Sequence, residues 1–302
     1  MKQSLQRLNK RLGSRLYSGA FLAPSLVGVT LFFIAPFFVV IYYALIDSPV
    51  GQNFVGFRNF QNVLGNLAFQ TAVGNTVMFS ALAVPLAVIL SLGLAVLLEQ
   101  KIPFKSPLRT FFLSPMMVPV ASIVLIWEVL FHQNGAVNDG LANFGAATGW
   151  FDFAGIDWLY SPFSQLPIVL LFLWRNLGYN MILFMAALNN IPRDLIEMAR
   201  LEGGSGRYIF RTIKLRFLSP TILFVTILSV INSFRVFREV FLLTGTHPYG
   251  RLYLLQHYMN NMFQILDYQS LAAAAIIMML AMIAVIGLMF VVEYWYGKDV
   301  EG

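Results

Sequence analysis

The chain of 302 residues is too apolar for a water-soluble protein, since 58% of its residues are hydrophobic and only 11% are charged. A soluble domain carries about a quarter charged residues, so the composition predicts an integral membrane protein with the lipid bilayer as its solvent. The absence of cysteine excludes disulfides, iron–sulfur clusters and cysteine-ligated zinc. The net charge of +6 is accounted for by membrane topology, and we expect no nucleic-acid partner.

Six apolar stretches are long enough to cross a bilayer, which takes about 20 residues of helix. The first follows a basic N-terminal segment and is too long for the apolar core of a signal peptide. Pro24 and Pro36 within it predict a tilt or an interfacial turn. The predicted spans are 17–46, 73–98, 108–131, 165–188, 219–243 and 270–296. The predicted class is therefore an all-α integral membrane protein with six transmembrane helices.

Lysine and arginine are divided unequally between alternate loops. Fifteen lie on the side of the N-terminal tail and four on the other side, so the positive-inside rule places both termini in the cytoplasm. The outer loops are then 47–72, 132–164 and 244–269. The inner loop 189–218 is long and dense in charges of both signs. Topology alone does not need such a loop, which indicates contact with a partner.

Sequence signatures of catalysis are missing. No G-x-x-x-x-G-K-[ST] phosphate loop is present, so the chain does not hydrolyse ATP itself. The three histidines lack metal-ligand spacing, and we expect no catalytic residue, metal or cofactor. Glu128 and Glu239 fall near the outer ends of their predicted spans, where partial hydration is expected. An ion-coupled carrier would need a clear intramembrane acid, and the spans offer none.

The inner loop 189–218 has the pattern of two short helices joined by glycine, here named the elbow. Pro192 suits the first turn of a helix, and apolar residues recur after it at helical spacing. Gly203 and Gly204 then end this first helix, and a second amphipathic stretch that includes Phe210 follows them. Such an elbow fits a groove of another protein. A hairpin lying on anionic lipid is the alternative.

The elbow resembles the cytoplasmic motif of permeases of binding-protein-dependent ABC importers, of the maltose, glycerol-3-phosphate and oligosaccharide type. The family motif reads Glu-Ala-Ala, three residues, Gly, and here Glu197-Met198-Ala199 is followed by Gly203. Met198 departs from the motif, and Arg216 stands where the family usually has proline. Further similar stretches are 55–60, 74–76, 109–115, Trp127, 158–159, 174–181 and 237–248, so the resemblance runs from about residue 20 to 292.

The resemblance implies a MetI-like fold with a five-helix permease core at 73–296. Residues 1–72 would hold the basic tail, the first span and the first outer loop, and 297–302 a cytoplasmic tail. The implied partners are a second homologous permease, two ATPase subunits and an extracytoplasmic solute-binding protein. The implied location is the inner or plasma membrane of a bacterium or archaeon. Residues implied to couple the chain to the ATPase are Glu197, Ala199, Gly203, Gly204 and Phe210.

A charged residue in the middle of a span is a functional candidate, because burying it in lipid costs roughly 2.5–3.5 kcal/mol. Arg175 is such a residue, within a polar and aromatic run suited to a sugar, although a structural ion pair is the alternative. Arg235, Arg238 and Glu239 instead lie near the outer end of their span, where arginines can snorkel. The candidate substrate-path residues are Trp174, Arg175, Asn176, Gly178, Tyr179, Asn232, Ser233 and Arg235, of which the resemblance favours Asn176, Gly178, Ser233 and Arg235.

The sequence therefore predicts a permease subunit of an ABC importer for a sugar or oligosaccharide. ATP would be hydrolysed by a separate subunit, so the chain is not expected to be an enzyme. The alternatives are a permease for a non-sugar solute, such as a polyol phosphate, and an ion-coupled secondary carrier.

Overall fold

A computed structural model describes residues 21–100 and 103–297 of the chain. The basic tail 1–16, Lys101 and the C-terminal residues 298–302, which entered the prediction of orientation, lie outside the described residues. Within the described residues the secondary structure is helical apart from one isolated β-bridge, between Ile46 and Phe54.

Among the described residues, six helical segments are long and apolar enough to cross a membrane, which confirms the predicted class. They are named here the first to sixth spans: Phe21–Leu45, Leu67–Glu99, Val120–Thr148, Gln165–Asn189, Gly206–Thr244 and Tyr268–Trp295. Shorter helices lie between them, at Arg58–Gly65, Lys105–Leu113, Ser114–Met117, Arg193–Leu201, Gly250–Leu252 and Leu255–Gln264.

The chain divides into two compact units, Met1–Leu64 with Met262–Met279, and Gly65–Asn261 with Leu280–Gly302. The three-part division expected from the sequence stays a prediction. In the first unit, the first span contains a π-helical turn, Thr30–Ile34, which ends two residues before Pro36. Proline has no backbone N–H and therefore removes one hydrogen bond of a regular helix. The wider π-helical turn accommodates this loss, and the helix continues past Pro36.

The second span begins six residues earlier than predicted because Asn66 caps it. The Asn66 side-chain oxygen accepts the backbone N–H groups of Ala68 at 2.9 Å and Phe69 at 3.3 Å. Asparagine is among the best residues for this position, since it satisfies amides that the helix leaves unpaired. The resulting helix, Leu67–Glu99, continues through Pro85.

The predicted uninterrupted helix over 108–131 was wrong. The structure places a helix at Lys105–Leu113, a 3₁₀ turn at Ser114–Met117 and a new helix at Val120–Phe131. The break lies at Val118, which is extended (φ −86°, ψ 129°). A residue that precedes proline is driven out of the helical region by the proline ring, and Pro119 imposes this on Val118. The third span continues after another break as Ala136–Thr148.

The second, fourth and fifth spans form the core of the second unit. One cluster of buried residues joins Phe79, Ala83 and Ala87 to Phe172 and Val240, with Leu252 and Leu254 from the following segment. A second cluster joins Ala95 and Leu98 to Met181, Phe184, Leu218 and Val225. The second cluster reaches Ile191 and Ile213 of the elbow, so the elbow rests on the bundle.

Candidate functional site

The first helix of the elbow, Arg193–Leu201, ends in a tight glycine cap. The amide of Gly204 donates to the carbonyl of Ala199 at 2.8 Å, and the amide of Gly203 donates to the carbonyl of Arg200 at 3.0 Å. This pair of bonds is the Schellman arrangement, which satisfies carbonyls that the helix end leaves free. The φ of Gly203 is +82°, a left-handed conformation that a residue with a Cβ rarely adopts.

The two glycines are required for different reasons. A Cβ on Gly203 would meet nothing within 4 Å, so the positive φ alone favours glycine there. A Cβ on Gly204 would lie 2.6 Å from the carbonyl oxygen of Ala199. Gly203 is therefore needed for backbone conformation and Gly204 for close packing against the helix that it caps.

The second half of the elbow is the beginning of the fifth span. Ser205 caps it by accepting the backbone N–H of Tyr208 at 3.3 Å. The helix Gly206–Ile209 continues through a π-helical turn, Phe210–Lys214, into Leu215–Arg235. The span therefore starts thirteen residues before its predicted start at 219. A movement of the elbow would be carried along unbroken helix.

The elbow has an anchored face and a free face. Ile191 and Ile209 are buried, and Ile196 and Ile213 pack against the second cluster of buried residues. The other face exposes large apolar side chains among the charged residues of the same helix. They are Leu195, Met198 and Leu201, the last with 88% of its surface exposed. Side chains of this kind on a rigid support are typical of a docking surface.

The predicted coupling residues lie at different depths in the elbow. Glu197 is exposed, and its side chain forms no hydrogen bond or ion pair within the described residues. Ala199 is half-buried and supplies the capped carbonyl. Phe210 is half-buried, and its carbonyl accepts the Leu215 amide. Their role in coupling stays a prediction.

A cavity of about 900 Å³ is lined mainly by the fourth and fifth spans, with Met116 from the 3₁₀ turn before the third span and Gln256 from the helix Leu255–Gln264. It combines charged, amide and aromatic side chains. Five of the eight residues predicted for the substrate path line it: Arg175, Asn176, Tyr179, Asn232 and Arg235.

The guanidinium of Arg175 is paired with the carboxylate of Glu239, its partner across the cavity wall. The expected partial hydration of Glu239 was wrong, because this residue is only 5% exposed. Arg175 keeps 29% of its side chain exposed and also lines the cavity. The sequence suggested either a place in the substrate path or a structural ion pair for Arg175. The structure shows that Arg175 both lines the cavity and forms an ion pair.

Two amides of the cavity wall are held in a fixed orientation. The Nδ2 of Asn232 donates to the Oδ1 of Asn176 at 2.9 Å. The Nδ2 of Asn176 in turn donates to the carbonyl of Phe172 at 2.8 Å. A preorganised amide pair can bind hydroxyl groups without a further loss of side-chain entropy.

The other three predicted path residues do not line the cavity. Trp174 stacks on Trp127, with ring centroids 5.3 Å apart. Gly178 is buried where a Cβ would collide with the carbonyl of Phe112. Ser233 is buried, with its Oγ 2.8 Å from the Oγ of Ser80. In the structure these residues therefore serve helix packing.

Sequence reasoning missed three polar residues of the cavity wall: Arg238, Glu239 and Gln256. A signal existed for the first two, which follow the break in the fifth span at Val236, where the helix resumes as Phe237–Thr244. No local signal pointed to Gln256, because the helix Leu255–Gln264 reaches the cavity only through tertiary packing. Sequence reasoning also missed the ion pair between Lys214 of the elbow and Glu99 at the end of the second span.

The outer segments are held by buried polar groups. In the helix Ala136–Thr148, the Nδ2 of Asn138 donates to the carbonyls of Gln133 and Ile156, both at 2.7 Å, and its Oδ1 accepts the indole N–H of Trp158 at 2.7 Å. In the helix Leu255–Gln264, burial lowers the pKa of His257 from 6.5 to about 4. No group of His, Cys, Asp or Glu among the described residues is arranged to hold a metal ion.

Six spans among the described residues, a polar cavity lined by the fourth and fifth of them, and an elbow joined to the same two spans define a membrane transport subunit. Residues 83–298 match the family described as binding-protein-dependent transport system inner membrane component. The match covers well over half of the chain, so this protein belongs to that family of multi-pass inner-membrane proteins.

Relatives are similar over most of the chain. The lactose transport system permease protein LacF of Rhizobium radiobacter is 31% identical over 274 residues, covering 88% of this chain and 90% of LacF. The arabinooligosaccharides transport system permease protein AraP of Halalkalibacterium halodurans is 31% identical, covering 80% and 78%. The sn-glycerol-3-phosphate transport system permease protein UgpA of Rhizobium meliloti is 29% identical, covering 89% and 91%.

The fold is also that of a solved transporter. A bacterial ABC transporter that imports the acidic polysaccharide alginate superposes with a TM-score of 0.82, covering 98% of this chain and 100% of the other. The sequence identity is 18%, so this likeness concerns the fold alone.

Proposed function

We propose that this chain is the permease subunit of an ATP-driven importer of a sugar or oligosaccharide, delivered by an extracytoplasmic solute-binding protein. The observation that carries the proposal is the elbow, which exposes an apolar face and leads directly into the fifth span. The fifth span contributes Asn232 and Arg235 to the cavity wall. A partner that moves the elbow can therefore change the shape of the cavity.

The source of energy is a separate ATPase. The chain has no phosphate-binding loop of its own, and the exposed side chains of Leu195, Met198 and Leu201 fit a groove in such a subunit. Two ATPase subunits would each serve one permease, the second permease being a homologue of this chain. Alternating access commonly uses two related halves, and one six-span chain supplies only one of them.

The cavity suits a saccharide. Its volume of about 900 Å³ lies within the range of small-molecule sites, roughly 300–1,000 Å³. Amide and guanidinium donors can bind hydroxyl groups, while Tyr179 and Phe237 offer ring faces to the apolar C–H patches of a sugar. The names of LacF and AraP, which refer to lactose and arabinooligosaccharides, support the same substrate class.

An ion-coupled carrier has less support. Such a protein needs an acid that can exchange its ion with the pathway. The acid in this cavity wall, Glu239, is buried and engaged by Arg175. The cavity residues that remain exposed are suited to binding a solute.

The docking role of the elbow can be tested with two glycine substitutions of matched local strain. Gly203→Asp places a charged side chain at a positive φ in the elbow. Gly149→Asp does the same at the end of the helix Ala136–Thr148, where φ is +67° and a Cβ would also meet nothing within 4 Å. Both proteins should be assayed for membrane insertion, for co-purification of the ATPase subunits and for ATP-dependent saccharide uptake.

We expect Gly203→Asp to insert normally but to lose the ATPase subunits and at least about 90% of uptake, a change of about 1.4 kcal/mol or more in coupling. Gly149→Asp should keep the ATPase subunits. Full uptake by Gly203→Asp at normal expression would contradict the proposal. A loss of the ATPase subunits in both variants would show that strain, not docking, is responsible.

A further inference from the structure

The cavity wall has an excess of positive charge. Of the described residues, three arginines line it, Arg175, Arg235 and Arg238, against one carboxylate, Glu239. A neutral sugar needs hydrogen-bond donors and acceptors in similar numbers, because its hydroxyls both donate and accept. Arginine only donates, with five N–H groups each. The wall is therefore richer in cationic donors than a neutral sugar requires.

The single carboxylate does not offset this excess. Glu239 is buried and paired with Arg175, which leaves Arg235 and Arg238. Both are exposed to the cavity, and neither forms an ion pair or a side-chain hydrogen bond within the described residues. The surface that a solute meets thus carries two free guanidinium groups.

Helix electrostatics explain only one of these two cations. Arg235 is the last residue of the helix Leu215–Arg235, where a positive charge is favourable. Arg238 lies in the first turn of Phe237–Thr244, where the helix dipole disfavours a positive charge. Both residues also belong to the predicted outer side, where topology does not select for arginine. The position of Arg238 therefore runs against two general tendencies, that of the helix dipole and that of membrane topology.

We propose that this cavity selects a saccharide that bears an oxyanion, such as a uronic acid, over a neutral saccharide of the same size. The planar guanidinium groups of Arg235 and Arg238 can each hold a carboxylate or phosphate by two parallel hydrogen bonds. The amide pair Asn176–Asn232 then serves the hydroxyls. This inference rests on the proposed function and adds the charge of the substrate to it.

The test compares two disaccharides with the same linkage. Calorimetric titration of α-1,4-digalacturonate and of its neutral counterpart, α-1,4-digalactose, would be done on the purified transporter complex in nanodiscs without its solute-binding protein. We expect the acidic disaccharide to bind at least about tenfold more tightly at low salt. About 0.5 M sodium chloride should remove most of that difference, since it screens charges at short range.

Three variants locate the effect. Arg235→Gln and Arg238→Gln should each weaken binding of digalacturonate about tenfold and weaken digalactose binding much less, because the glutamine amide can still donate to a hydroxyl group. Arg251→Gln removes the same charge from an exposed residue that does not line the cavity, and should change neither affinity. A titration with glucose 6-phosphate then shows whether a phosphate group binds to Arg235 and Arg238 in place of a carboxylate.

Equal affinities for the two disaccharides, no binding of either, or an equal loss in Arg251→Gln would each overturn the inference. Uptake assays separate this failure from that of the proposed function. If the unmodified transporter accumulates neutral saccharides with ATP as readily as acidic ones, the charge inference fails while the importer stands. If ATP drives uptake of neither kind, the proposed function fails as well.

Discussion

The ammonium of Lys214 contacts both carboxylate oxygens of Glu99, at 2.7 and 2.6 Å. The two side chains are separated by 115 residues in sequence and retain only 17% and 28% exposure. Lys214 belongs to the π-helical turn of the elbow and Glu99 ends the second span. The ion pair therefore fastens the elbow to a span other than the two that it connects.

Removal of this ion pair should reduce the coupling between ATP hydrolysis and transport, because the elbow is then no longer fastened to the second span. We expect Glu99→Gln to lower stability by about 1 kcal/mol, since a partly exposed pair contributes little more. The ratio of saccharide uptake to ATP hydrolysis should fall about fivefold, measured in proteoliposomes containing the complete transporter. The charge exchange Glu99→Lys with Lys214→Glu should restore most of that ratio. Unchanged coupling in Glu99→Gln would argue against a mechanical role of the pair.

Replacement by alanine at two helical glycines should change the stability of the protein in opposite directions. At Gly178, a Cβ would collide with the backbone carbonyl of Phe112, which cannot move without shifting its helix. Gly178→Ala should therefore destabilise the protein by about 3 kcal/mol. At Gly93 a Cβ meets nothing within 4 Å, so Gly93→Ala should stabilise by up to about 1 kcal/mol.

Thermal unfolding of both glycine variants in detergent measures these changes. Two equal shifts in Tm would show that Phe112 does not restrict the space at Gly178. A loss in Gly178→Ala alone would confirm that the fourth span approaches the Lys105–Leu113 helix at backbone distance.

The ion pair in the cavity wall should behave as a buried pair. Glu239→Gln leaves the Arg175 guanidinium without an acid, and we expect a loss of about 3 kcal/mol. Replacement of both partners, Arg175→Met with Glu239→Leu, should restore stability to within about 1 kcal/mol of the parent protein but block uptake. Unfolding titrations together with ATP-dependent uptake separate the two effects. Additive losses in the double variant would indicate that the two side chains do not interact.

Stability should fall in mild acid because of His257. Its imidazole is fully buried, and its Nδ1 accepts the amide of Leu254 at 3.1 Å. The pKa of His257 is about 4 in the folded protein, against an ordinary value of 6.5. The fold therefore favours the neutral ring, and this contribution is complete above about pH 6.5 and is lost as the pH falls towards 4, roughly 3 kcal/mol in all.

The control for this pH dependence is His257→Asn, whose amide oxygen can still accept the Leu254 amide. We expect its Tm to lie below that of the parent at pH 7, because the ring contact with Phe237 is lost. Its further decline between about pH 6.5 and 4 should be clearly smaller. Parallel pH profiles for the two proteins would rule out His257 as the titrating group.

The spans and the elbow could be predicted because their signals are local. Hydropathy over about 20 residues defines a span, and the glycine pair after a short amphipathic helix defines the elbow. The break at Val118 also has a local signal, Pro119, but the apolar run continues through it, and hydropathy alone therefore predicted one helix. The early start of the second span depends on the Asn66 cap, a single polar residue outside that run.

The cavity was predicted only in part because its members meet through packing. Arg175 and Glu239 are 64 residues apart, and Gln256 comes from a third segment. The run 174–180 presents residues on all sides of its helix, and its sequence does not specify which side a neighbouring helix covers. Asn176 and Tyr179 consequently face the cavity, whereas Trp174 and Gly178 face other helices.

The stack of Trp127 on Trp174 supplies a built-in optical reporter. The two indoles are inclined by 27°, and the N–H of Trp127 is fixed by the carbonyl of Pro167 at 2.9 Å. Rings at this separation couple electronically, which gives a distinctive near-ultraviolet circular dichroism band. Any slide of the third span against the fourth during a transport cycle would alter that band, so the cycle can be followed without an attached dye.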